Sequence, residues 1–380
     1  MANVTRSAWL AATIILFCSA GIKGGPKPAG PTYKVLNPVT QNNLTVFPVV
    51  TASTYDTRNF LTLDEGLRSG QVVVTEEGGS PGLVRPRPEA PGVWPEHPLP
   101  QPGLPRRGAQ VNRLVLTNNS DRPLILLAGE IVIGGKQDRV VGKDRIVPAK
   151  GDPIDLGVFC VEPHRWVEIS ARFGGLGFSM AQPSLRLRAM AEKDQQAVWD
   201  QVARSKASVA GLVPAPAARA LAATSSYAAT MENAAVQQRV GSVAAPIERS
   251  YDELMGELRA QKAVGAVVAV NGEIVWADIF ASASLLEKYW PKLIRSYAAE
   301  AVSAGLSQAS WKSAPSTGDA QHFLDDLDAR RETVESEPGV YRNTEIIGHD
   351  FDAFLLTSLL PGTGFNVHIA KMSTVPGITR

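Results

Sequence analysis

The sequence predicts an α+β fold: a mainly antiparallel β N-terminal half, followed by an α-helical segment and further β-hairpins in the C-terminal half. Three observations predict it. Short apolar runs alternate with polar turns up to about residue 161, the pattern of strands joined by tight connections. From Asp194 the chain becomes alanine-rich, with Val198, Val202 and Val209 compatible with one helical face. Asn271-Gly272 then joins two β-rich runs between Val264 and Phe280, and a type I′ hairpin turn requires positive φ at both central positions.

Taken in order, residues 1–20 read as a signal peptide: Arg6, the apolar run Ala8 to Phe17, then the small residues after it. That run is shorter than the roughly 20 apolar residues of a spanning helix. The expectation is a periplasmic or extracellular protein cleaved after about Ala20, with no transmembrane segment left. A lipid anchor through Cys18 is disfavoured by bulky Phe17, which stands where a small residue is usual. Residues 21–32 are rich in glycine and proline and read as a flexible linker. A single α+β domain is expected over 33–372.

Leu44 to Val50 and Gln71 to Val74 read as strands. Residues 81–105 hold nine prolines, so an extended loop interrupts the β region there, because proline cannot donate to a sheet ladder. Strand patterning resumes at Val111 to Leu116, Leu124 to Ala128 and Ile131 to Ile133. Ile154 to Val161 is apolar at nearly every position, as for a strand buried on both faces. A helix is expected over Tyr251 to Lys262, opened by a Ser250/Glu253 capping box. Ser284 and Glu287 suggest a second cap, with Leu286, Trp290, Leu293 and Tyr297 on one face and Pro291 restarting or kinking the helix. Asp325 to Glu337 reads as a charged, solvated stretch, and strand-like runs such as Phe354 to Leu360 and Asn366 to Ile369 close the chain.

Composition narrows the function classes. A formal net charge of +1 offers no basic field for nucleic acid or anionic lipid, so no nucleic-acid partner is expected. The two cysteines, Cys18 and Cys160, are split by the predicted cleavage, which leaves no disulfide. There is no metal-ligand spacing among His97, His322, His349 and His368, each of which reads as a surface or satisfied core histidine. No cofactor motif is evident.

The most unusual segment is Gly129 to Arg139, GEIVIGGKQDR. Gly134 and Gly135 let the backbone turn sharply and expose N–H groups to an anion, while Lys136, Gln137, Asp138 and Arg139 add charge and polar contacts. It is no P-loop, since Gly135 stands where lysine is required. The competing reading is a plain β-turn capped by Asp138, with Arg139 paired to Glu130. A second constellation, Cys160, Glu162, His164, Arg165 and Trp166, lies where a strand runs out into a turn. Glu130, Glu162 and Asp278 are the candidate catalytic acids or bases. Cys160 is either a nucleophile or a buried inert thiol, and Glu162 with Arg165 either a ligand site or a structural ion pair.

GEIVIGGKQDR, followed by DLGVFCVEPHRW, VGAVVAVNGEIVWADIF and LLEKYWPKLIRSYAAEA, resembles the ARG and rhodanese-phosphatase-superfamily-associated protein domain, ARG being ADP-ribosylglycohydrolase. The resemblance runs from about Tyr33 to Met372, with 81–105 similar to an insertion. It implies Gly129, Glu130, Gly134, Gly135, Gln137, Asp138, Arg139, Cys160, Glu162, Arg165, Trp166, Asn271, Gly272 and Asp278 as motif residues. It also implies a role near ADP-ribose or nucleotide-sugar metabolism and brings no mechanism with it. Two expectations follow: an exported protein binding or hydrolysing a phosphate- or ribose-containing, anionic small molecule, or a non-catalytic extracytoplasmic scaffold.

Overall fold

The structure is a computed structural model that describes residues 32–77, 112–177, 179–257, 261–305 and 313–374. The expected signal peptide, nearly all of the linker, the proline-rich stretch 81–105, Cys18 and His97 lie outside the described residues. No described helix is long and apolar enough to cross a membrane.

The chain opens with β1 (Tyr33–Val35), β2 (Val39–Gln41) and β3 (Leu44–Thr51). Then come β4 (Leu61–Thr62), α1 (Leu63–Arg68), β5 (Val72–Glu76), β6 (Arg113–Asn118) and β7 (Leu124–Leu126). β8 (Ile131–Ile133), β9 (Arg139–Val141), β10 (Arg145–Val147), β11 (Ile154–Cys160) and β12 (Gly174–Gly175) complete the N-terminal β region. The helical segment holds α2 (Pro183–Leu187), a π-helical turn Arg188–Glu192, α3 (Gln195–Ala210), α4 (Ala215–Ala222), α5 (Tyr227–Glu232) and α6 (Ala234–Glu257). β13 (Lys262–Val270), β14 (Glu273–Phe280), α7 (Ala283–Ala304), α8 (Thr317–Asp325), β15 (Arg331–Glu337), β16 (Tyr341–Ile347), β17 (Phe351–Ser358) and β18 (Asn366–Ser373) finish the chain.

A nine-stranded antiparallel sheet in the order β1-β3-β13-β14-β18-β17-β16-β15, with β2 also on β3, forms the centre. Its middle strands are covered on both faces, and the period of two shows it. Leu44, Val46, Ala266, Val268 and Val270 pack in the core shared with the helical segment and α7. Phe47, Val49, Val267 and Ala269 pack on the opposite side, with Ala320 and Leu324 of α8. Pro48 is tolerated inside β3 because it faces the break between β1 and β2. Its carbonyl accepts from Leu36 there, and the N–H it lacks would point to the same side.

The β-hairpin at Asn271 and Gly272 forms as expected, with φ of 52° and 81°. A six-stranded sheet, β12-β8-β9-β11-β6-β5, and a three-stranded one, β10-β7-β4, enclose a separate aliphatic core. β11 departs from expectation: Asp155 and Gly157 are exposed while Leu156, Val158 and Cys160 are buried, so only one face is covered.

Three further expectations change. The helix predicted at Tyr251 is the end of the longer α6, so Ser250 lies inside it and caps nothing. The cap of α7 is Ser282, whose hydroxyl accepts from the Leu285 N–H, and the helix runs on through Pro291, which falls on its exposed side. Residues 331–337, within the stretch Asp325 to Glu337 expected as charged and solvated, are almost wholly exposed as expected but form the edge strand β15.

β13 carries a bulge between Ala263 and Gly265, which shifts Val264 onto the α8 side. At Gly265 a Cβ would stand 2.1 Å from the Asp278 carbonyl oxygen, a backbone atom that cannot move aside. We predict that Gly265→Ala lowers stability by about 2 kcal/mol through overpacking, read from the denaturation midpoint. An unchanged midpoint would show that the two strands can part without cost.

Candidate functional site

The two expected constellations meet. The turn between β8 and β9 carries Gly134 to Asp138, and the chain leaving β11 returns beneath it with Glu162, Arg165 and Trp166. Gly134 and Gly135 have φ of 126° and 49°, and a Cβ on Gly135 would meet the Phe173 ring at 2.2 Å. The paired glycines therefore admit the protein's own aromatic ring.

The turn's N–H groups point inward. Gly134 donates to Asp138 Oδ1 at 3.0 Å, Gly135 to Ser170 Oγ at 3.1 Å and Lys136 to Glu76 Oε1 at 2.7 Å. An outward-facing nest of donors is thus not formed; the turn is capped by Asp138, as in the plain-turn reading. Asp138 is held further by Ser226 Oγ at 2.8 Å and by Arg165 at 3.3 Å. Burial raises its carboxyl pKa, with the bond from Gly134 opposing and the Glu162 charge adding to the rise.

Arg165 bridges the two halves of the cluster. It pairs with Glu162 at 2.5 Å and donates to the carbonyls of Gly134 and Gly135. Glu162 also accepts from the Asp138 N–H, and its own carbonyl accepts from Gln137 Nε2 at 3.1 Å. Cys160 is fully buried, and burial pushes its thiol pKa up, the setting of an inert thiol.

Arg139 differs from its neighbours. Its side chain is 0 % exposed, yet among the described residues that side chain makes only one long hydrogen bond, Nη1 to the Asp138 carbonyl at 3.4 Å. Nη2 lies 4.0 Å from Glu76 Oε1, and among the described residues neither Nε nor Nη2 has a hydrogen-bond partner. Gln137 Oε1 and Glu76 Oε2 are likewise buried without partners among the described residues. Trp166, 43 % exposed, covers the group, with Lys136 Nζ 5.2 Å and the Arg139 guanidinium 6.0 Å from its ring centroid.

The other expected catalytic carboxylates are elsewhere. Glu130 lies beneath the sheet, accepting from the Leu127 N–H and from Lys292, which also holds Asp64 at 2.8 Å; its partner is not Arg139. Burial raises the Glu130 pKa, opposed by Lys292 and aided by Asp64. A cavity of about 450 Å³ opens beside Asp64 and Lys292, away from the glycine turn.

Asp278, expected as a candidate general base or a cap, is instead the centre of a buried charge network. Arg186 binds both its oxygens at 2.8 Å, Tyr297 donates at 2.5 Å, and His368 Nε2 lies at 3.1 Å. His368 Nδ1 meets Asp144 at 2.6 Å, and Asp144 accepts from the Ala128 N–H. Burial alone would raise the Asp278 pKa, but Arg186 and His368 outweigh it and hold the carboxyl far below its ordinary range. Nothing is left on this carboxylate to serve as a base. Gly129, at φ 95°, makes the room: a Cβ there would stand 2.7 Å from Arg186.

Sequence reasoning missed Arg186, Asp144, Lys292 and Glu76. Lys292 had a signal, since Lys292, Ser296 and Glu300 form an i, i+4, i+8 stripe on a helix whose neighbouring positions are apolar. The described residues hold no cluster of three or more His, Cys, Asp or Glu side chains placed for a metal ion.

The family model described as the ARG and Rhodanese-Phosphatase-superfamily-associated Protein domain matches residues 32–370, and the chain belongs to that family. No curated protein and no solved structure matches the chain.

Burial lowers the His368 pKa, but the Asp144 and Asp278 charges outweigh it and raise the value from 6.5 to about 9. A group raised on folding stabilises fully below its unfolded pKa and loses that contribution as pH climbs through the folded one. Stability should therefore fall between pH 6.5 and 9 by up to roughly 3 kcal/mol, and His368→Gln should flatten the slope. Urea titrations across that range check this; equal slopes in the two proteins would contradict it.

Proposed function

We propose that this member of the ARG and Rhodanese-Phosphatase-superfamily-associated Protein domain family binds a phosphate- or ribose-containing small molecule at the Arg139 cluster, as an exported protein. The supporting observation is a set of four buried atoms without a partner among the described residues: Arg139 Nε and Nη2, Gln137 Oε1 and Glu76 Oε2. A buried polar group left unpaired costs about 1–3 kcal/mol, and more when charged. Nε and Nη2 share one edge of the guanidinium and project parallel N–H bonds, the fork that grips a phosphate or carboxylate. The two side-chain oxygens are acceptors suited to sugar hydroxyls. Trp166 supplies an aromatic face beside them, and Lys136 a further cation.

Binding has more support than hydrolysis. Of the three carboxylates expected to act as acid or base, Glu130 and Asp278 belong to other networks, and Glu162 is tied to Arg165 and the Asp138 N–H.

A second reading, a non-catalytic scaffold, is favoured by the inward-pointing N–H groups of the turn. Ligand titration separates the two. In thermal-shift assays with ADP-ribose, nucleotides, sugar phosphates and inorganic phosphate, a ligand at 100 times its Kd stabilises by about 2.7 kcal/mol. Trp166→Ala, a half-exposed position, should leave the unliganded melting temperature nearly unchanged and remove most of that shift. If none of these compounds raises the melting point, the scaffold reading stands.

Export has its own check. Expression with the N-terminus intact should yield a mature protein whose mass corresponds to cleavage after about Ala20, and an uncleaved product retained in the cytoplasm would rule export out.

A further inference from the structure

We propose that two copies of the chain associate through β15, pairing antiparallel about Val334 so that the nine-stranded sheets join edge to edge. β15 ends the sheet: it pairs with β16 on one side and with no described strand on the other. An edge strand of seven residues presents unpaired backbone donors and acceptors, which serve as a template for another strand.

The occupant is argued from charge. The strand reads RETVESE, and a two-fold axis through Val334 sets Arg331 opposite Glu337 of the copy, twice. Glu332 then faces Ser336, Thr333 faces Glu335, and Val334 faces its own copy. No like charges stand directly opposite in this register. Opposed residues of an antiparallel pair share a face, so the axis moves in whole-residue steps. An axis through Glu335 sets that carboxylate against its own copy, and one through Thr333 keeps an Arg331–Glu335 pair but sets Val334 against Glu332.

Two more observations agree. The strand's negative charge is partly neutralised from within, since Lys143 holds Glu335 at 2.6 Å and Arg145 lies 3.7 Å from Glu337. Val334 and Leu327, on the strand and its lead-in, are among the few large apolar side chains left exposed, at 52 % and 48 %. A Val334 pair at the dyad would bury the first against itself.

Sedimentation equilibrium of the whole chain at graded concentration tests this. The wild type should show a concentration-dependent dimer. Val334→Pro should be monomeric, because it removes a donor at the centre of the junction and, on an edge strand, leaves the fold intact by circular dichroism. Arg331→Glu should raise the dimer dissociation constant roughly tenfold, and the exchange Arg331→Glu with Glu337→Arg should restore it. A wild-type monomer at every concentration overturns the proposal and leaves the edge to a foreign strand. A dimer indifferent to both single substitutions overturns it equally, since the copies would then meet elsewhere.

Discussion

The buried pairing of Arg186 with Asp278 is the constraint from which the arrangement of layers follows. A guanidinium and a carboxylate taken wholly out of water are tolerable only when their charges are matched. Both Asp278 oxygens are bonded here, and Arg186 uses both Nη atoms while its Nε has no partner among the described residues. Here the match reaches across the molecule. Asp278 lies on β14 and His368 on β18 of the large sheet, Arg186 on α2, Tyr297 on α7, and Asp144 in the loop between β9 and β10. The Asp144 carbonyl in turn accepts from Asn343 of β16. With His368 protonated the four charges sum to zero, so neither α2, β14, β18 nor the Asp144 loop can withdraw without leaving an unmatched ion behind.

The candidate site inherits its rigidity from this network. The β8–β9 hairpin begins at Gly129, pressed against Arg186, and at Glu130, held by Lys292. Its tip is pinned by Asp138, Ser170 and Glu76, and Arg165 binds the carbonyls the tip presents. What stays unbound among the described residues is one edge of the Arg139 guanidinium, which lies beneath Trp166, together with Gln137 Oε1 and Glu76 Oε2. A loop so thoroughly tied down holds those atoms in place, which would lower the ordering cost of the binding proposed above.

Local signals were legible in the sequence, and long-range pairings were not. The Asn271-Gly272 hairpin and the buried face of α7 follow from turn chemistry and helical spacing within a few residues. The true start of α6 was obscured by an alanine-rich run with little amphipathic contrast and by Pro246. β15 carries no apolar alternation because neither of its faces is covered, so it read as solvated chain. Most motif residues of the site were visible as a cluster, yet Asp278 could not be placed, because Arg186 lies 92 positions away and the Asp144–His368 pair spans 224. Nothing in the composition around Arg186 or Asp144 distinguishes them from surface charges.

Hydrogen exchange of Asp278→Asn against wild type tests the coupling of these layers most directly. If the network pins the small sheets to the large one, amides in β8 and β9 should lose protection together with those in β14 and β18. Faster exchange confined to β14 and its immediate neighbours would contradict the account, because the candidate site would then stand on the small sheets alone.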